Sequence, residues 1–236
     1  METVKARTLD WLTLTIAGLV MLNLLPFLAP VFMEAGWTPL ARGIYTAYSA
    51  LCHQMAQRSF FLFGPLGFQM YEIAQLPVNL QGLTTVQEML TLRAFVGDSS
   101  LGWKVAWSDR MVYMYTAPLM VAIWYAIRRR RGPVQPLSLL AFGMFLLPMA
   151  VDGTTHWLSD LPGLTAGFRY DNAWLAALTG RILPDWFYAG DGFGSFNSLM
   201  RLISGVTFGV GIGGLLFPYL DQAFAPRFPA RQPGNP

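Results

Sequence analysis

WLTLTIAGLVMLNLLPFLAPVFM, residues Trp11 to Met33, contains no ionisable side chain. A helix needs about 20 mainly apolar residues to cross the roughly 30 Å hydrocarbon layer of a membrane, and this stretch is long enough. Three more segments suggest the same: Met111–Ile127, Val134–Val151 and Leu199–Leu220. The middle two are short, and interfacial residues such as Trp107 extend them. The predicted fold is all-α: a polytopic membrane helix bundle of about four transmembrane helices. It forms a single domain over residues 1–223, with short interfacial helices in two extracytoplasmic loops.

Composition points the same way. Hydrophobic residues make up 54% of the 236-residue chain and charged residues 12%, against about 25% charged in soluble proteins. The net charge of +3 is gathered in short clusters beside apolar spans. No basic stripe interleaved with aromatics exists, so no nucleic-acid partner is expected. Membrane lipids are the expected partners. Cys52 is the single cysteine, which excludes an internal disulfide and any Cys-x-x-Cys pair. Lys5 and Arg7 precede the first span as they would a signal peptide. The span is too long for a cleaved segment and lacks a clean small-residue cleavage site, so it reads as a retained helix.

Basic residues also set the orientation. Lys5 and Arg7 precede the first span, Arg128–Arg131 form the turn between the second and third, and Arg227 and Arg231 follow the fourth. The positive-inside rule places all three sites in the cytoplasm of a cell inner (plasma) membrane, and an even number of spans agrees. Two extracytoplasmic segments remain, Glu34–Arg110 and Asp152–Phe196. Helices are expected over Pro39–Gln57, over Thr85–Phe95 behind a Thr84 cap, and over Asn172–Leu183. The run Ser59–Phe63 is too apolar for water and is assigned to the interface or the bundle. The tail Phe224–Pro236, with four prolines, is expected to be disordered.

Gly209-Val-Gly-Ile-Gly-Gly214 matches a dinucleotide-binding pattern, but that motif needs a preceding strand and an opening helix. Here it lies inside a span, so no nucleotide cofactor is expected. Gly205, Gly209 and Gly213 instead repeat every four residues, the spacing of a groove that another helix can approach closely, in this chain or a partner. The same face carries Asn197 and Arg201 at its outer end. An arginine one turn into a span either snorkels to water or pairs with an acid. Because this face points at other helices, pairing with Asp109 or Asp152 is expected.

Other polar residues collect at the same outer level. Asp152, His156 and Asp160 would share one face of a regular helix and could supply metal ligands. Gly153 and Pro162 argue against such a helix, and a carboxylate ending a span commonly pairs with arginine. Cys52-His53-Gln54, followed by Arg58, could join a metal site or form a nucleophile and base. The plainer reading is a buried apolar cysteine beside a hydrogen-bonded histidine. Lys104, Ser108, Asp109 and Arg110 mark the mouth of the second span. The ionic cluster drawn from these positions comprises Arg58, Lys104, Arg110, Arg169, Asn172, Asn197 and Arg201. Candidate catalytic groups are His53, Asp109, Asp152 and His156, and candidate metal ligands are Cys52, His53, Asp152 and His156.

Cys52-His-Gln followed by Arg58-Ser-Phe-Phe61 resembles the opening motif of a prokaryotic membrane family known as domain of unknown function 2085. The resemblance continues through Ser108-Asp-Arg-Met111 with Tyr115, then Asp152-Gly153, and then Asn197 to Arg201 before the glycine-rich helix. It covers the chain from about Cys52 to Gly214. That family carries a Cys-x-Arg-Cys motif where Ser108 and Met111 stand here, so the resemblance implies that any thiol or metal chemistry through those cysteines is lost. Three functions are compatible with these readings: a structural or accessory membrane subunit, a membrane-embedded enzyme acting on a lipid head group or other interfacial substrate from the outer leaflet, and a small transporter.

Overall fold

A computed structural model describes residues 10–224. Lys5, Arg7, Arg227, Arg231 and nearly all of the proline-rich tail lie outside the described residues. The helices are α1 (Trp11–Glu34), α2 (Thr38–Tyr48), α3 (Thr85–Ala94), α4 (Asp109–Arg128), α5 (Leu139–Asp160), α6 (Ala173–Leu178), α7 (Asp185–Tyr188) and α8 (Phe196–Phe224). Three of them, α1, α5 and α8, are long and apolar enough to cross a membrane. At 20 residues, α4 is a little shorter and more polar at both ends.

The fold is not all-α. Strands β1 (Ser59–Gly64), β2 (Gly67–Gln69), β3 (Gly97–Asp98) and β4 (Gly102–Ser108) form an antiparallel sheet in the order β2-β1-β4-β3. The run Ser59–Phe63 is therefore strand rather than interfacial segment. Phe60 and Phe61 point to opposite faces, as strand geometry requires, and both are buried, Phe60 against α1 and α2 and Phe61 against α3. Tight backbone contact makes the sheet possible. Gly97 and Gly102 both have positive φ, and a Cβ at Gly97 would stand 2.1 Å from the Gly102 carbonyl oxygen.

Boundaries differ for local reasons. The helix expected over Pro39–Gln57 ends at Tyr48, and Cys52-His53-Gln54 lies in the loop beyond it, with Gln54 in the left-handed region. Thr84 caps α3 reciprocally with Gln87. Asn172 is itself left-handed and starts only a short α6. The third apolar segment begins later than Val134, because the Ser138 hydroxyl caps α5 at the Ala141 amide. It then runs through Gly153 to Asp160, so Gly153 does not interrupt it and Asp152, His156 and Asp160 do share a helix face.

Helix α8 packs between α4 and α5. A Cβ at Gly209 would stand 2.6 Å from Pro118 Cδ, and one at Gly213 would stand 2.8 Å from Val121 Cγ1. One at Gly205 would stand 3.0 Å from the Arg110 carbonyl oxygen. The neighbour filling this groove is α4 of the same chain, not a partner helix. On the opposite side, Gly211 faces Phe145 of α5. Helix α1 is held to α4 by Asn23, whose Nδ2 donates to the Tyr115 carbonyl at 3.1 Å and whose Oδ1 accepts from Thr116 at 3.0 Å.

At one end of the bundle Arg129 pairs with both Asp10 and Asp221, while Trp11 and Tyr125 donate to Asp221. The start of α1, the end of α4 and the end of α8 thus meet at the arginine turn. The sheet and the short helices cap the other end.

Candidate functional site: a buried ionic network

Arg201, near the start of α8, is 1% exposed. Its Nε donates to both carboxylate oxygens of Asp109 at 2.8 Å, and Asp109 opens α4. Its Nη1 donates to Asp191 Oδ1 at 2.5 Å, and Nη2 to the Asp191 carbonyl oxygen at 3.1 Å. Asp191 lies in the loop before α8, and its Oδ2 accepts from Arg58 Nε at 3.0 Å. The far edge of Arg58 grips Asp160 at the end of α5, through two bonds of 3.0 Å. A continuous chain, Asp160–Arg58–Asp191–Arg201–Asp109, therefore joins α5, the entry to β1, the α7–α8 loop, α8 and α4.

A second branch centres on Asp152 in α5. It accepts from Arg169 Nη1 at 2.7 Å, Arg110 Nη2 at 2.8 Å and the Ser204 hydroxyl at 2.9 Å. Arg169 Nε donates to Asn197 Oδ1 at 3.1 Å. Asn197 Nδ2 returns a bond to the Arg169 carbonyl at 2.7 Å, and Asn172 ties that carbonyl to the Tyr188 carbonyl. His156 sits between the branches, with Nε2 3.3 Å from Arg201 Nη1 and Nδ1 3.7 Å from Asp152 Oδ1. Guanidinium nitrogens only donate, so Nε2 accepts and the ring proton belongs on Nδ1.

The charge count closes. Arg58, Arg110, Arg169 and Arg201 give +4, Asp109, Asp152, Asp160 and Asp191 give −4, and the sum is zero. This balance matters because a buried charge without a partner costs several kcal/mol. Burial alone would raise the Asp191 carboxyl, but Arg58 and Arg201 hold it well below the usual carboxylate range. Burial likewise opposes the charge on Arg58, and Asp191 and Asp160 hold it above its ordinary value.

Nine of the sequence-chosen residues meet here: Arg58, Asp109, Arg110, Asp152, His156, Arg169, Asn172, Asn197 and Arg201. Lys104 does not. It is buried beneath the sheet, and its Nζ donates to the Gln54 and Arg93 carbonyls at 2.8 and 2.6 Å. Burial pulls its amine down to about 7, with Cys52 opposing and Arg93 adding to the shift. Cys52 Sγ accepts the Gln54 and Ser108 amides, both at 3.3 Å. His53 is exposed.

Asp191, the hub, was not among the chosen residues. Its signal was a carboxylate bracketed by Gly190 and Gly192, and the need for a fourth acid once four arginines are counted.

Among the described residues no three His, Cys, Asp or Glu side chains are placed to hold a metal ion together. Besides a void of about 10 Å³ within the network, two larger cavities adjoin it. One, of about 240 Å³, opens between α5 and α8, with apolar walls and Asp152 and Arg169 among its lining. The other is a polar cleft of about 90 Å³ lined by Cys52, His53, Arg58, Ser108, Arg110 and Arg201 together with Gln54, Met55 and Met111.

The chain is 29% identical over 171 residues to "Uncharacterized protein MJ1492" of Methanocaldococcus jannaschii, covering 68% of this chain and 83% of that protein. No family profile matches the chain. No solved structure matches it either.

Proposed function

We propose that the chain is a structural or accessory membrane subunit whose ionic network fastens an extracytoplasmic cap onto a four-helix bundle. The observation that carries this reading is the unbroken Asp160–Arg58–Asp191–Arg201–Asp109 chain. Each member comes from a different element, and with the Asp152 branch included no charge is left over. Helix α4 is the fourth span: it lies against α8 along the whole glycine groove, and its 20 residues correspond to roughly 30 Å of helix. Both ends of the bundle chain and the arginine turn are cytoplasmic, on the positive-inside rule. Exposed Trp174, Leu178, Ile182 and Trp186 suit the α6–α7 segment to the interfacial layer, where tryptophan is favoured.

We also propose kinship with domain of unknown function 2085, which one convergence supports. Ser108 and Met111, at the cysteine places of the resembled motif, line the same cleft as Cys52. A head-group enzyme is the second reading. It asks for a histidine and a carboxylate in hydrogen-bond reach, and His156 Nδ1 stands 3.7 Å from Asp152. A transporter, which needs polar groups through the full depth of the bilayer, ranks third.

Cysteine labelling tests the topology. In a Cys52→Ala background, Gln135→Cys should react only from the cytoplasmic side and Gln81→Cys only from outside. Reversed labelling would overturn the orientation, and a stoichiometric metal in gently purified protein would overturn the purely structural role.

A further inference from the structure

The polar cleft is rich in hydrogen-bond donors. Arg58, Arg110 and Arg201 contribute to its wall with His53 and Ser108, and no Asp or Glu lines it. The acids that neutralise these arginines lie behind them, in the network. A guanidinium has five N–H donors, and the network does not use them all. Arg58 gives three bonds to Asp160 and Asp191. Arg110 gives one side-chain bond to Asp152, and its Nε has no partner among the described residues. The Ser108 hydroxyl accepts from the Cys52 thiol at 3.5 Å, so its own proton is free to be donated.

We propose that this cleft binds a phosphate-type oxyanion, free or as the head group of an anionic phospholipid. Such a group only accepts hydrogen bonds, matches the planar fork of arginine, and needs the room for several waters that about 90 Å³ supplies. The cleft lies at the capped end of the bundle, at the level where α4 and α8 begin. Head groups reach that level if the helices span as described above, whereas free phosphate reaches it either way. The site does not depend on the structural role.

The test uses the full chain in neutral detergent and in lipid nanodiscs. Sodium phosphate should raise the unfolding temperature saturably over sodium chloride at equal ionic strength, by the linkage of binding to folding. A rise with phosphatidylglycerol nanodiscs over phosphatidylcholine ones, without a phosphate effect in detergent, identifies the lipid head group instead. His53→Glu places an acid at the exposed mouth without touching any ion pair of the network, and should weaken the effective ligand by about ten-fold or more. An unfolding temperature indifferent to both phosphate and phosphatidylglycerol overturns the site, as does a His53→Glu protein that responds like the original.

Discussion

Arg201 Nε lies 2.8 Å from each carboxylate oxygen of Asp109, and both side chains are sealed from solvent. Removing one partner strands the other. Arg201→Ala is expected to destabilise by about 3–5 kcal/mol, read as a large fall in unfolding temperature or loss of accumulation. Arg201→Met combined with Asp109→Leu should recover part of that loss. A double variant no better than Arg201→Ala would show that a stranded Asp109 is not what makes the single change costly.

Asp191 serves two arginines, whereas Asp160 serves only Arg58. Asp191→Asn should therefore cost about 3 kcal/mol or more, and Asp160→Asn clearly less, because Arg58 keeps Asp191. Thermal unfolding of the two variants side by side decides it, and equal shifts would refute the hub.

The glycine groove has no room for a methyl group. A Cβ at Gly209 would fall 2.7 Å from the Ala117 Cβ, so Gly209→Ala should destabilise by about 1–3 kcal/mol through overpacking. Gly18 in α1 has nothing within 4 Å, and Gly18→Ala should be neutral or stabilising by up to about 1 kcal/mol. Denaturation in the same detergent compares the pair.

Lys104 gives a pH signature. Its amine titrates near 7 when folded, against an ordinary value of 10.5. The folded state therefore binds fewer protons than the unfolded state between those values, and stability rises as pH climbs from about 7 towards 10.5. Below about 7 the burial penalty is present in full. Lys104→Met should flatten that slope, measured as unfolding temperature against pH.

The long apolar helices were legible because twenty uncharged residues admit few other readings. The outer arginines and Asp152 were legible because charge at a span end demands a partner. The sheet was not, since Ser59–Phe63 is as apolar as an interfacial segment, its neighbour β2 is only three residues long, and its other partner β4 is more than thirty residues away. Lys104 looked like its charged neighbours Asp109 and Arg110, and only strand register turns it inward to carbonyl acceptors. Asp191 lies in a glycine-rich loop with no periodicity to place it. Gly153 looked like a helix breaker, but the Asp152 and His156 contacts continue α5 through it.

Chain order gives the ionic network a further meaning. Asp109, Asp152 and Asp160 are synthesised before Arg169, Asp191 and Arg201, and Asp10 and Arg129 precede Asp221, the second acid on Arg129. During translation Asp152 and Asp160 follow their partners Arg110 and Arg58, whereas Asp109 is made long before its counter-ion Arg201. Only when α8 threads between α4 and α5 does Asp109 meet Arg201 and the outer network close. A ribosome stalled before that point would leave a half-built bundle with Asp109 unmatched at its outer end.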